Sequence, residues 1–165
     1  MGGRAREEIE SFDEWYAASA PRLAAALSVA TGDPDRSADA VAEAFTRAWE
    51  RWRRVRALEN RDGWAYRVAL NVLRRGWRRT AMERHEVARW AERPVDGPAS
   101  AADVWRALGS LPARQREAIA LRYVAGFTQH EVAASMGIAD GTAAATLSQA
   151  RARLAELLVE QEVEP

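Results

Sequence analysis

Helix breakers are scarce over most of this chain. Proline and glycine are thinly spread among long Ala-, Leu- and Arg-rich stretches, and no run of alternating β-branched residues stands out. Alanine, leucine and arginine enter a helix at little entropic cost, whereas a strand needs the alternation that is missing here. The expectation is an all-α protein. Hydrophobic residues make up 48% of 165 residues, enough for a packed core in one domain or two small ones.

The same reading excludes several classes. No apolar run approaches the ~20 residues of a bilayer span, so no membrane span is expected. The opening MGGRAREEIE lacks the apolar stretch of a secretory signal. Cysteine is absent, which excludes disulfides and thiolate metal sites and fits a reducing compartment. A cytoplasmic location follows as an expectation.

Along the chain, a first helix is expected from Phe12 to Ala30, stopping at Gly32. Asp33-Pro34 then reads as an N-cap followed by proline at the first helical position, where its missing N–H costs nothing. The next helix places Val41, Phe45, Ala48, Trp49 and Trp52 on one face, with Glu43, Arg47, Glu50, Arg51 and Arg54 elsewhere around it. Asn60 or Asp62 caps a further helix that extends to about Arg79. The charged stretch that follows carries Pro94 and Asp96-Gly97-Pro98 and reads as a flexible, partly helical linker. Helices resume at Ala102, Leu111-Pro112 starts another, and Gly126, Gly137 and Gly141 break the rest. The expected organisation is two small helical domains, residues 10–80 and 102–160, joined by a linker over residues 81–101.

The sharpest local pattern runs from Phe127 to Leu154. Thr128 and Glu131 form a Thr-x-x-Glu capping box. Val132, Ala133 and Met136 make the inner face of the short helix it starts, and Gly137 sits at the turn, where a positive φ is cheap only for glycine. A second helix begins near Asp140, with Ala143, Leu147, Ala150 and Leu154 recurring at intervals of four, three and four. This is helix-turn-helix spacing, which frees the second helix for the major groove. Its outward face carries Thr142, Ala145, Thr146, Gln149 and Arg153. Gln149 suits an adenine edge, Thr146 a thymine methyl, and Arg151 and Arg153 suit phosphates. An ordinary helical hairpin in a bundle would share the same periodicity.

Net charge is zero, but its distribution is uneven. All 24 basic residues are Arg, and from Arg47 to Arg79 there are 11 Arg against three acids. Such clustering is the usual footprint of a polyanionic partner. Within it, Trp64, Arg67, Asn71, Arg74 and Arg78 fall at intervals of three and four, forming one aromatic, basic and amide stripe. Arginine neutralises phosphates, asparagine bonds base edges and an aromatic ring stacks on an unpaired base. Two such surfaces on one chain suit contact with two DNA segments. Catalysis has little to stand on. The histidines are His85 and His130, neither with a carboxylate or metal partner evident in the sequence, and no glycine-rich phosphate loop exists. No cofactor or metal is expected.

Taken together, the stretches DAVAEAFTRAWERW (Asp39–Trp52), ENRDGWAYRVALNVLRRGWRR (Glu59–Arg79) and Leu108–Leu154 resemble the extracytoplasmic-function group of bacterial sigma factors, closest to its actinobacterial-type sigma-E-like subgroup. These are promoter-recognition subunits of RNA polymerase. The resemblance implies that Asp39, Glu43, Phe45 and Arg47 bind core RNA polymerase, although Ala42 replaces a frequent Gln. It implies that the loop Arg53–Arg61 holds a base flipped from the minus-ten element and that the stripe Trp64, Arg67, Asn71, Arg74 and Arg78 opens the duplex. The C-terminal module would read the minus-thirty-five element through Thr128, Gln129, Thr142, Thr146, Gln149, Arg151 and Arg153. Implied partners are core RNA polymerase and promoter DNA, with an anti-sigma protein as a third class. Ala144, Thr146 and Gln149 stand where the group often carries Lys or Arg, so weak autonomous DNA binding is expected. Alternatives are a stand-alone helix-turn-helix regulator and a helical interaction protein whose DNA recognition has degenerated.

Overall fold

The computed structural model describes residues 11–80 and 99–163, with side chains described except at 78–80, 99–101 and 160–163. Residues 81–98 of the expected linker, His85 among them, lie outside the described residues. Among the described residues every regular element is helical.

Helix α1 spans Phe12–Thr31. Ser11 opens it with a capping box: its Oγ accepts from the Glu14 N–H at 3.2 Å, and the Glu14 carboxylate accepts from the Ser11 N–H at 2.8 Å. The helix runs on through the exposed Pro21. It ends at Gly32, whose φ of 73° closes a hydrogen bond from its N–H to the Ser28 carbonyl. Asp33 then caps α2 (Pro34–Glu50) through its carboxylate, which accepts from the Arg36 N–H at 3.2 Å. A short α3 (Trp52–Val55) and a turn lead into α4 (Arg61–Thr80). Asn60 makes that entry, its Oδ1 accepting from the Gly63 N–H at 2.6 Å.

Helices α1, α2 and α4 pack pairwise around Trp15, Leu23, Leu27, Val41, Phe45, Tyr66, Leu70 and Leu73. The rings of Trp15 and Phe45 lie 4.5 Å apart, and those of Trp15 and Trp52 5.4 Å apart. Trp15 satisfies its indole N–H by donating to Asp62 Oδ1 at 2.6 Å, as a buried tryptophan must. Trp49 departs from the expected apolar face of α2: it is 62% exposed, because the core stripe ends at Ala48.

The C-terminal unit contains α5 (Ala99–Gly109), which begins before the expected Ala102, and α6 (Ala113–Ile119). Helix α6 continues through a single π turn, Ala120–Val124, that ends just before Gly126 at a φ of 76°. Helices α7 (Gln129–Met136) and α8 (Asp140–Val163) follow. The capping box of Thr128 and Glu131 is formed, and Gly137 takes a φ of 66° at the turn. Ala133 and Ala143 are both buried where α7 and α8 pack. Gly141 does not break the chain as expected. It lies in the first turn of α8, where the helix needs no side chain from it.

The two units are not separate bodies. Helix α1 packs on α6 and on the π turn, α4 packs on α7, and the buried residues form one continuous cluster. Helix α1 can serve both sides because its buried residues, from Trp15 through Leu23 to Ser28 and Thr31, cover more than half its circumference at about 100° per residue. Arg116, 4% exposed, crosses the boundary: Nε donates to the Ala30 carbonyl at 3.0 Å, and Nη1 to the carbonyls of Gly109 and Leu111 at 3.3 and 3.2 Å. That places a cation at the C-terminal end of α1, the favourable end of the helix dipole.

Candidate nucleic-acid interface

Helix α2 carries its polar residues on the face opposite Val41 and Phe45. Asp39 and Glu43 are exposed, Arg47 is half-buried, and Arg47 Nε pairs with Glu43 Oε1 at 2.9 Å. With Val72, Leu73 and Gly76 of α4 they line a shallow cavity of about 350 Å³. Phe45 departs from this group. It is 1% exposed and packs against Trp15 and Tyr16, so it holds the helix in place and offers no surface to a partner.

On α4, Arg67, Asn71 and Arg74 are exposed and Trp64 is half-buried against the core. The helical spacing therefore does bring them to one side. The side chain of Arg78 lies outside the described residues. Arg74 also acts electrostatically on Glu117 of α6, opposing the effect of burial there. Burial pushes the Glu117 carboxyl above its ordinary range. Arg74, the Tyr66 hydroxyl and Arg114 pull it back. Tyr66 O–H donates to Glu117 Oε1 at 3.4 Å, and burial first, then Glu117, raises the phenol well above its usual value.

The turn before α4 borders a polar cavity of about 450 Å³, lined by Trp15, Ser19, Arg22, Leu58, Glu59, Asn60, Arg61 and Asp62, and also by Glu131 of α7. The Arg61 guanidinium stands 5.7 Å from the Trp15 ring centroid. Arg22 bonds Asp62 and the Ala125 carbonyl, and donates to Ser19 Oγ at 3.2 Å.

In the helix-turn-helix, Thr142, Ala145 and Gln149 are exposed on α8 and Thr146 is half-buried. Several candidate contacts are already engaged. Thr128 Oγ1 accepts from the Glu131 N–H at 3.2 Å. Gln129 Nε2 reaches the Asp140 carbonyl at 3.5 Å. Arg151 Nη1 donates to Tyr123 OH at 3.2 Å, and Arg153 pairs with Glu156 at 3.1 Å. His130 has a carboxylate partner after all: Nδ1 lies 3.0 Å from Asp140, across the turn, and this hydrogen bond raises its pKa. The pair joins residues ten apart on two helices, a proximity that helical periodicity does not reveal.

Three features had no signal in the sequence. Arg22 and Arg116 look like any surface arginine until α1 is seen between the units. Tyr123, 55% exposed beside Arg122 and Arg151, depends on the π turn for its position.

Comparison with known proteins completes the picture. Residues 15–83 match the family described as Sigma-70 region 2, and residues 101–154 match Sigma-70, region 4. The RNA polymerase sigma-E factor of Streptomyces coelicolor is 27% identical, over 95% of this chain and 91% of its own length. The ECF RNA polymerase sigma factor EcfG of Rhodopseudomonas palustris is 29% identical, over 86% of this chain and 81% of its own. Among solved structures, the sigma factor RpoE of Bartonella quintana, in complex with the anti-sigma factor NepR, superposes with a TM-score of 0.70. It is 27% identical and covers 93% of this chain and 98% of its own.

Proposed function

This chain belongs to the extracytoplasmic-function group of bacterial sigma factors, with sigma-E-like relatives, and on that premise we propose which of its residues meet polymerase and which meet DNA. It binds core RNA polymerase and directs promoter recognition and transcription initiation. The role is one of binding, not of bond-making, and a cytoplasmic location follows from where polymerase works.

We assign the exposed edge of α2, Asp39, Glu43 and Arg47, to core polymerase, with Phe45 as its support. The stripe Trp64, Arg67, Asn71, Arg74 and Arg78 is assigned to opening of the minus-ten element, and the 53–61 loop with its adjoining cavity to the extruded base. The face Thr142, Thr146 and Gln149, flanked by Gln129, Arg151 and Arg153, is assigned to the minus-thirty-five element. The boundaries 10–80, 81–101 and 102–160 remain our proposed partition. A protein partner of the anti-sigma kind, such as the one the Bartonella neighbour was solved with, is the third class we carry over.

One observation carries the assignment. The acidic edge of α2 and the basic stripe of α4 occupy adjacent helices of one bundle, and the helix-turn-helix follows in the same chain. A stand-alone regulator would leave the first two unused. Co-purification with core polymerase, followed by run-off transcription, tests this; no association with core would favour the regulator. From Arg114 to Arg153 there are only five Arg against Glu117, Glu131 and Asp140. Few phosphate contacts mean weak binding and a shallow salt slope. The free protein is therefore expected to bind promoter duplex weakly in a salt titration, and nanomolar binding at physiological salt would contradict this.

A further inference from the structure

Helix α8 turns Ala143, Leu147 and Ala150 into the core and leaves Thr142, Ala145, Ser148, Gln149 and Ala152 exposed on the other side. Residues spaced by three and four share a helix face, so these form the stripe that a major groove receives. What the stripe lacks is charge. No lysine or arginine stands between Asp140 and Arg151. The arginines that follow are engaged elsewhere, Arg151 with the Tyr123 hydroxyl at 3.2 Å and Arg153 with Glu156 at 3.1 Å. Asp140 lies on the flank of the stripe, and His130 Nδ1 stands 3.1 and 3.0 Å from its two carboxylate oxygens.

Each base asks for a different partner in the major groove. Guanine presents two acceptors and is read by the paired donors of arginine or by lysine, and the stripe has neither. A cytosine amino group asks for a carboxylate, and Asp140 is held by His130. Adenine presents a donor beside an acceptor, which a primary amide matches with both of its groups, and Gln149 is the amide of the stripe. Thymine adds a methyl group, which packs on small apolar groups such as the Ala145 Cβ and the Thr142 methyl. A serine hydroxyl bonds either kind of edge, so Ser148 does not discriminate.

We propose that α8 selects A·T pairs, reading adenine with the Gln149 amide and the thymine methyl with Ala145 and Thr142, and leaves guanine unread. This rests on the assignment of α8 to the minus-thirty-five element, and it makes those three the specificity-determining residues of the module. Ala145 lies one turn from Thr142 and one turn from Gln149, so the three meet neighbouring base pairs. Discrimination then comes from dehydrating methyl groups and from one amide, neither of which salt screens as it screens an arginine.

The test uses the chain assembled with core polymerase and a pool of duplex DNA randomised across the promoter region. Transcribed molecules are recovered, and their minus-thirty-five element is expected to be rich in A·T pairs with no required guanine. Replacing a thymine of that element by deoxyuridine removes only the methyl and is expected to weaken holoenzyme binding about fourfold, the worth of one buried methyl group. In Thr142→Ser, which lacks the other half of that contact, deoxyuridine at one thymine is expected to cost nothing further. Gln149→Arg is expected to move one position from adenine to guanine, and Gln149→Ala to relax it, each changing the preference about tenfold. An element fixed on guanine, tolerance of deoxyuridine at every thymine, or an adenine preference unmoved by both Gln149 variants overturns the proposal. Failure to transcribe any member of the pool would instead overturn the functional assignment, and the inference with it.

Discussion

The His130–Asp140 pair is the clearest case in which one residue's chemistry answers to a helix other than its own. An imidazole that gains a carboxylate partner is easier to protonate, so its folded pKa rises above the ordinary 6.5. Its stabilisation is therefore fully present below 6.5 and is lost as pH rises through the raised value. An NMR titration of the His130 ring is expected to show a midpoint above 6.5 that Asp140→Asn returns toward it. An unmoved midpoint would mean that the pair does not form in solution. Both groups lie on the surface, so the effect is on local order at the turn.

At the scale of the element, α2 separates its two duties by face. Phe45→Ala empties a site enclosed by Trp15, Tyr16 and Phe12, and such a truncation costs about 3–5 kcal/mol. Asp39 is exposed, so Asp39→Ala is expected to shift stability by no more than about 0.5 kcal/mol. If Asp39 meets polymerase, that variant weakens core binding by about fivefold, the ~1 kcal/mol of a contributing interface residue. Thermal melts beside a core-binding assay separate the two effects. The same helix marks how far the sequence could be read. Caps and turns were legible at Asp33-Pro34, Thr128–Glu131 and Gly137: the first two are local contacts between backbone and a side chain, and the third is a positive φ that favours glycine. The period of α2 put Phe45 inward but carried Trp49 with it, since periodicity does not say where a neighbouring helix ends. Position on α4 was legible too, yet the engagement of Arg151 with Tyr123 was not.

Across the whole molecule, the boundary between units was the least legible feature. Helix α1 meets the second unit partly through its own backbone, the Ala30 carbonyl that Arg116 holds, and a backbone carbonyl carries no sequence pattern. That boundary also holds a titratable group. Glu117, facing Tyr66, Arg74 and Arg114, is raised by burial, so the folded chain binds a proton there more readily than the unfolded chain, where Glu117 meets water. The stability this group contributes is therefore fully present below the ordinary carboxyl range and is lost as pH rises through the raised value. Thermal melts across this range are expected to show a smaller pH dependence of stability in Glu117→Gln than in the parent chain. An identical pH response in the variant would assign the effect elsewhere.

The π turn at Ala120–Val124 has a different kind of consequence. A helix that takes up one additional residue without breaking forms such a turn, and the residues beyond it are swung around the axis by about 100°. The Ala125 carbonyl that receives Arg22 lies at the end of this turn, where the Ala125 N–H closes on the Ala120 carbonyl at 3.0 Å. Deleting a single residue between Ala120 and Val124 would restore the regular helix and turn that carbonyl away, undoing the grip without touching the arginine. The packing of the two units on one another can thus be probed by the deletion of one codon.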